Sequence, residues 1–360
     1  MNFEIWNARR TADAARWLAV HQAWAAREVF AHPSYVRLFA GEQDEPLAAY
    51  AETPSGFILY PFVLRPVTAP HLVSPGRPVF DITSPYGYGG AFHTGAGEVD
   101  AKEFWSAFDD FCRTRNVVSE FTRLGLFEDR RLPYPGQTRQ KLNVVQDLRP
   151  PLERMWREFD HQIRKNINKA KRLGVQIEVD ETGARLDDFL EIYYGTMDRR
   201  HAREGYYFPR EFFQTIIQEL PGQFVFFHAL HDERVISTGL VLASAHTLYC
   251  FVGGTDRSAF DLRPNYLLTF EIFRWGQEHG KTHVVLGGGY EPDDGIFRYK
   301  RAFAPHGLVP YSAGTRIFDQ RTYAHLVDAH QAQARRRLAD WQPDPGFFPG
   351  YRQDLPPVPA

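Results

Sequence analysis

The run Gly287-Gly288-Gly289-Tyr290-Glu291-Pro292-Asp293-Asp294-Gly295-Ile296-Phe297-Arg298-Tyr299-Lys300-Arg301-Ala302-Phe303 sets three glycines ahead of a lysine flanked by aromatic residues. Glycines that follow a strand let a substrate approach the backbone closely, and a lysine partly shielded from water places positive charge where negative charge develops. A surface lysine lying over apolar packing has the same local composition. A second biased segment runs from Arg154 to Arg172, where Arg154, Arg157, Arg164, Lys165, Lys169, Lys171 and Arg172 face only Glu158 and Asp160. On a chain whose net charge is −2, such a cationic helix is suited to local phosphate-backbone binding; the alternative is a solvated helix face.

Other segments carry less chemistry. Tyr86-Gly87-Tyr88-Gly89-Gly90, after Asp81 and Pro85, is an aromatic-glycine loop. No Lys-Ser/Thr follows it and its glycine spacing is not that of a dinucleotide fingerprint. His228, His231 and Asp232 straddle a hairpin turn without further ligands at metal spacing, so no metal site is expected. No Gly-x-Ser-x-Gly elbow occurs, and Cys112 and Cys250 lie in no setting that marks a nucleophile. Covalent catalysis and a resident cofactor are not indicated.

The elements that must position these residues read as two similar halves. A length of 360 residues exceeds what one core supports. Hydrophobic residues at 43% and charged residues at 24% exclude a disordered chain, and the balanced charge excludes a generally basic nucleic-acid binder. Two distant cysteines exclude a disulfide framework and fit a reducing cytoplasm. The amino terminus has no apolar core of a signal peptide, and Val235 to Thr255, though uncharged, reads as two strands instead of a membrane span. Pro150-Pro151 supplies the domain seam. Beyond it, Leu152, Trp156, Phe159, Ile163, Ile167 and Ala170 recur at helical spacing, predicting one helix that ends at Gly174. Each half runs helices, antiparallel strands, helix, strand, which predicts an α+β class with two copies of one unit. The expected domains are 1–149 and 150–319, with a last helix at 320–341 and a proline-rich tail at 342–360.

In order along the chain, the run from His161 to Ile177, Arg203-Glu204-Gly205-Tyr206, Arg263-Pro264-Asn265-Tyr266, Gly287–Gly289 and Tyr299-Lys300-Arg301-Ala302-Phe303 resemble Fem-type nonribosomal peptidyl aminoacyltransferases. Pro85 to Gly90 is similar to a first-half segment of the same family. The resemblance implies two tandem acetyltransferase-like (GNAT) domains, each a mixed, mostly antiparallel sheet flanked by helices, with the last helix, 320–341, packing back on the first. It also implies an aminoacyl-tRNA donor and an amine acceptor on a nucleotide- or lipid-linked muropeptide. By the same resemblance, Lys300 is placed at the reacting ester with Tyr299 and Phe303 beside it, and Arg203 holds acceptor phosphate. Asp81 resembles a first-domain acid considered as a base. Arg37 stands where the family often has a lysine, and Tyr249 joins Arg203, Arg37 and Phe303 as an acceptor contact. The long helical-hairpin insertion that some members use for tRNA is absent, which leaves that binding to Arg164, Lys165, Lys169, Lys171 and Arg172. A cytoplasmic protein with peripheral contact to the inner membrane is the expected setting.

Two other classes compete. An acyl-CoA-dependent N-acyltransferase would share the fold, yet it usually cradles the CoA pyrophosphate on a glycine-rich loop opening a helix, and Asp261-Leu262-Arg263-Pro264-Asn265-Tyr266 has a proline and no glycine. A noncatalytic RNA-binding protein would use the basic helix but leave the Tyr299-Lys300 and Gly287–Gly289 features without purpose.

Overall fold

The computed structural model describes residues 1–69, 72, 78–289, 291 and 293–355; Pro75 and Gly76, Tyr290 and Pro292, and the end of the proline-rich tail lie outside these. In chain order the first elements are β1 (Asn2–Asn7), α1 (Thr11–Ala23), α2 (Pro33–Leu38), β2 (Glu45–Thr53), β3 (Gly56–Pro66), β4 (Phe80–Thr83), β5 (Phe92–Thr94), α3 (Glu98–Thr114) and β6 (Val117–Arg123). Then come β7 (Gln137–Asp147), α4 (Leu152–Glu158), α5 (His161–Arg172), β8 (Gln176–Asp180), α6 (Leu186–Arg200), α7 (Arg210–Glu219), β9 (Phe224–His231), β10 (Arg234–Ala243) and β11 (Thr247–Thr255). The chain closes with α8 (Pro264–Glu278), β12 (His283–Gly287), α9 (Gly295–Phe303), β13 (Leu308–Ile317) and α10 (Gln320–Arg337).

These elements form two compact units, one of residues 1–21, 30–140 and 311–360 and the other of 22–29 and 141–310. The expected seam at Pro150-Pro151 lies inside the second unit, because β7 pairs antiparallel with β12 from Asp147 to Val144 and so belongs to that sheet. Both units are mixed α/β with mostly antiparallel sheets. In the first, the strand order is β1-β2-β3-β4-β6-β13 with β5 beside β3, and β4 and β6 run parallel. Helix α3 buries Phe104, Phe108 and Cys112 against Tyr60 and Phe62 of β3, whose alternate residues face it.

The second unit runs β7-β12-β11-β10-β9-β8, with β11 and β12 its parallel pair. Strand β9 shows why helices cover both faces. Val225, Phe227 and Ala229 enter the core with Ile163 and Ile167 of α5 and Phe273 of α8. Phe224 and Phe226 point the other way, where the Phe226 ring lies 5.0 Å from Phe189 of α6. A strand buried on both faces reads as a continuous apolar run.

The helix expected from Leu152 to Gly174 is two. Phe159 and Asp160 leave helical geometry, with ψ of 143° and 145°, so α4 stops and α5 restarts. Arg164 secures the break: its guanidinium donates to the carbonyls of Arg157, at 2.9 Å, and of Phe159, which α4 leaves unpaired at its end. The apolar spacing survives because Phe159, Ile163, Ile167 and Ala170 still enter one core. Gly174, at φ +80°, ends α5 as expected.

In the first unit the C-terminal segment is held as a strap. Arg352 Nε donates to Asp81 Oδ2 at 2.8 Å, Arg65 Nε takes Asp81 Oδ1 at 2.8 Å, and the Tyr351 hydroxyl meets Ser119 Oγ at 2.7 Å. Tyr351 packs with Val67, Val118 and Leu326, which also seats α10 on this unit. Asp81 is fully buried, so removing one guanidinium leaves a desolvated carboxylate oxygen without its partner. Arg352→Ala is expected to lower unfolding stability by about 1–3 kcal/mol in denaturant titration. An unchanged midpoint would mean that the strap contributes nothing.

Candidate functional site

Strands β11 and β12 stay paired only from Thr247 to Tyr249 and from His283 to Val285. Beyond that, β11 follows β10 as far as Thr255, with a register shift at Leu240/Val241, while β12 follows β7 with its own shift before Gly287. The two parallel strands therefore separate at their C-terminal ends. Helix α9 follows β12 and sets Lys300 between Gly288, just past β12, and Cys250 on β11.

Two glycines make the approach feasible. Gly287 turns the chain at φ +83°, a conformation that L side chains rarely adopt. A Cβ at Gly289 would lie 2.6 Å from Asp294 Oδ1, closer than any real contact. Asp294 starts α9: Oδ1 accepts from Phe297 N at 2.7 Å and Oδ2 from Glu291 N at 3.2 Å. One turn later Lys300 Nζ donates to the Gly288 carbonyl at 2.7 Å. Burial lowers the pKa of Lys300 below the ordinary lysine value, with Cys250 and Asp294 opposing that shift. The Cys250 thiol, on β11, is pushed up to about 11 by burial, against the pull of Lys300. The ammonium thus lies between the separated strands, with one proton on a carbonyl and two more to donate.

Tyr299 and Phe303 share α9 but serve differently. The Tyr299 hydroxyl bonds Thr269 Oγ1 at 3.0 Å and the Asn265 carbonyl at 3.1 Å, tying α9 to α8. Phe303 is fully buried, its ring 5.5 Å from Phe159 and 5.7 Å from Phe273. That burial suits packing beneath Lys300 and leaves no surface for the acceptor contact expected of it. Tyr249 is likewise buried, with its hydroxyl 3.0 Å from Glu28 Oε2. Arg203 is exposed at the entry to a short 3-10 turn, where its carbonyl accepts from Tyr206 N.

Asp81 and Arg37 belong to the first unit. Both carboxylate oxygens of Asp81 are committed to arginines, which corrects the expectation of a base there. Arg37 lies in the last turn of α2. In the same unit Tyr35 donates to the Tyr86 carbonyl at 2.8 Å, and Arg123 stacks over the Tyr86 ring, so the aromatic-glycine loop is anchored on both sides. Among the described residues no group of histidine, cysteine and acidic residues could hold a metal ion.

On α5, Lys165, Lys171 and Arg172 are exposed and Lys169 is half-buried. Arg164 is drawn away to the end of α4, so the basic face is one charge poorer than its sequence, and Lys171 also lies 4.9 Å from the Phe270 ring. Sequence reasoning missed Cys250, Thr269 and Asp294 as parts of the site. Asp294 carried a usable signal, an aspartate opening a short amphipathic run; the other two meet Lys300 and Tyr299 only through tertiary packing.

Helix α8, which follows the opening, starts at Arg263 in a left-handed conformation and at Pro264. Pro264 has no N–H, and Tyr266 N donates to the Arg263 carbonyl at 3.2 Å, so its first turn offers few amides to a pyrophosphate.

Residues 157–301 match the model of the acetyltransferase (GNAT) domain. Among solved structures, FemX aligns at a TM-score of 0.64 with 10% identity, over 90% of this chain and 99% of that one. A conserved protein of unknown function from Bacteroides thetaiotaomicron aligns at 0.55 with 10% identity, over 88% and 100%. The C-terminal domain of a putative lysylphosphatidylglycerol synthetase from Agrobacterium fabrum aligns at 0.51 with 14% identity, over 89% and 96%. No curated protein matches the sequence. The chain therefore has a Fem-like fold and carries a GNAT domain of the acyltransferase class. Among the described residues no helix is long and apolar enough to cross a membrane.

Because Asp294 both caps α9 and faces the ammonium, Asp294→Ala is expected to cost about 0.5–2 kcal/mol of stability. It should also lower the Lys300 pKa further. Denaturant titration and NMR of labelled lysine check the two effects separately.

Proposed function

We propose that the chain transfers an aminoacyl group from aminoacyl-tRNA to an amine of a peptide acceptor, with a peptidoglycan-precursor muropeptide as the acceptor class and no covalent enzyme intermediate. The observation that carries this reading is the half-buried Lys300 ammonium in the strand opening, bonded to one carbonyl and free to donate twice more. Attack of an amine on the ester carbon forms a tetrahedral centre whose oxygen becomes anionic. Collapse of that centre breaks the bond to the ribose oxygen, which leaves as an alkoxide and takes a proton. A cation in a shielded site stabilises both developing charges. With Asp81 committed to arginines, the proton released by the amine passes to water or to the substrate itself.

Two further features support the donor. The start of α8 is a poor cradle for CoA, and Lys165, Lys169, Lys171 and Arg172 give α5 a phosphate-binding face with Arg164 left out of it. The structural likeness to a domain named for lysylphosphatidylglycerol synthesis supports an aminoacyl group as cargo and a lipid-linked acceptor. Arg203, exposed in the second unit, is the proposed ligand of acceptor phosphate. The acetyltransferase domain match favours one second reading, acyl transfer from CoA, on the same site.

A transfer assay offering labelled aminoacyl-tRNAs and acetyl-CoA in parallel to nucleotide- and lipid-linked muropeptides distinguishes the two donors. Lys300→Ala should reduce transfer roughly 10²–10³-fold while leaving acceptor affinity nearly intact. Wild-type turnover in that variant would remove Lys300 from the chemistry. A required cationic lysine whose pKa is lowered makes the rate fall, as pH rises, at a pH below the ordinary 10.5. Lys300→Arg should keep residual activity without that alkaline fall, because a guanidinium stays charged. For the donor, exchanging Lys165, Lys169 and Lys171 for Glu should weaken tRNA binding and flatten its salt dependence, whereas Arg164→Gln should act mainly on stability.

A further inference from the structure

The opposite, N-terminal end of β11 and β12 holds a separate concavity. The turn Ser244–His246 between β10 and β11 lies there beside Lys281, just before β12, and beside the segment that follows α1. Together they enclose a cleft of about 270 Å³ lined by Arg27, Gln223, Ser244, His246 and Lys281. Its framework is pinned: Ala245 N donates to the Arg27 carbonyl at 3.0 Å, and Val29 N donates to Ser244 Oγ at 2.9 Å.

Lys281 Nζ donates to the Ser244 carbonyl at 2.7 Å and to that of Ala245 at 3.2 Å, which leaves a third proton unassigned. Burial lowers its pKa and the neighbouring Arg27 lowers it further, with Glu28 opposing. Glu28, the acid that opposes the shift, also accepts from the Tyr249 hydroxyl at Oε2. Two cations are thus held near each other, an arrangement that costs energy unless an anion joins them. Above Gly222, at φ +72°, the space is open.

We propose that this cleft binds a small oxyanion, the class to which inorganic phosphate and a carboxylate both belong. Arg27 and the third proton of Lys281 hold the anionic oxygens. The site is independent of Lys300 and of the transfer reaction.

Calorimetric titration of the full chain with inorganic phosphate, glycine and acetate tests it. Saturable one-to-one binding of phosphate or acetate is expected, the tighter of the two identifying the source, with zwitterionic glycine weaker because its ammonium meets two cations. Arg27→Gln should weaken the bound probe about tenfold or more. Arg27 is exposed, and a thermal melt matching the wild type separates a lost site from a lost fold. No binding of phosphate or acetate, or equal binding by Arg27→Gln, would overturn the site.

Discussion

The separation of β11 from β12 after three paired residues is the constraint on which the second unit's chemistry depends. Each strand is held by its other neighbour, β11 by β10 and β12 by β7, and each of those ladders changes register where the parallel pair ends. The separation leaves backbone groups that a closed sheet would have paired. Lys300 answers one of them at Gly288, and the Tyr299 hydroxyl ties α9 down so that the lysine stays in place. Burying an ammonium is unfavourable, and the Gly288 carbonyl and the Asp294 carboxylate offset the cost only in part, which is why the lysine's pKa remains lowered.

Much of this was legible in the sequence because the second unit is locally consistent. The apolar run in Phe224–His231, the helical spacing from Leu186 to Arg200 and the proline opening α8 each fix an element by themselves. The importance of Lys300 was visible as a lysine among aromatic residues downstream of glycines. Its partners were not, since the Cys250 contact joins residues 50 positions apart and depends on where β11 parts from β12. The break in the basic helix was hidden for a related reason. Phe159 continues the apolar period on either side of it, so hydrophobic spacing alone cannot distinguish one helix from two that share a core.

Asp81 marks the limit of arguing from residue type. An aspartate in a chain of this kind invites a proton-transfer role, and nothing nearby in sequence identifies Arg352 as the group that occupies it. The bond spans 271 positions. Once both oxygens are bound to guanidinium groups in a buried setting, the carboxylate serves to hold the strap and presents no free oxygen to a substrate.

That strap also bears on the order of assembly. The second unit is nearly one continuous stretch, needing only residues 22–29 from upstream, whereas the first draws its sheet partner β13 and its Asp81 clamp from beyond residue 310. On a ribosome, every strand of the second unit emerges before the first unit can close its sheet or neutralise its buried aspartate. The amino-terminal half is therefore translated first and completed last. Until Arg352 emerges, Asp81 waits as a half-compensated charge that weakens any premature core around it.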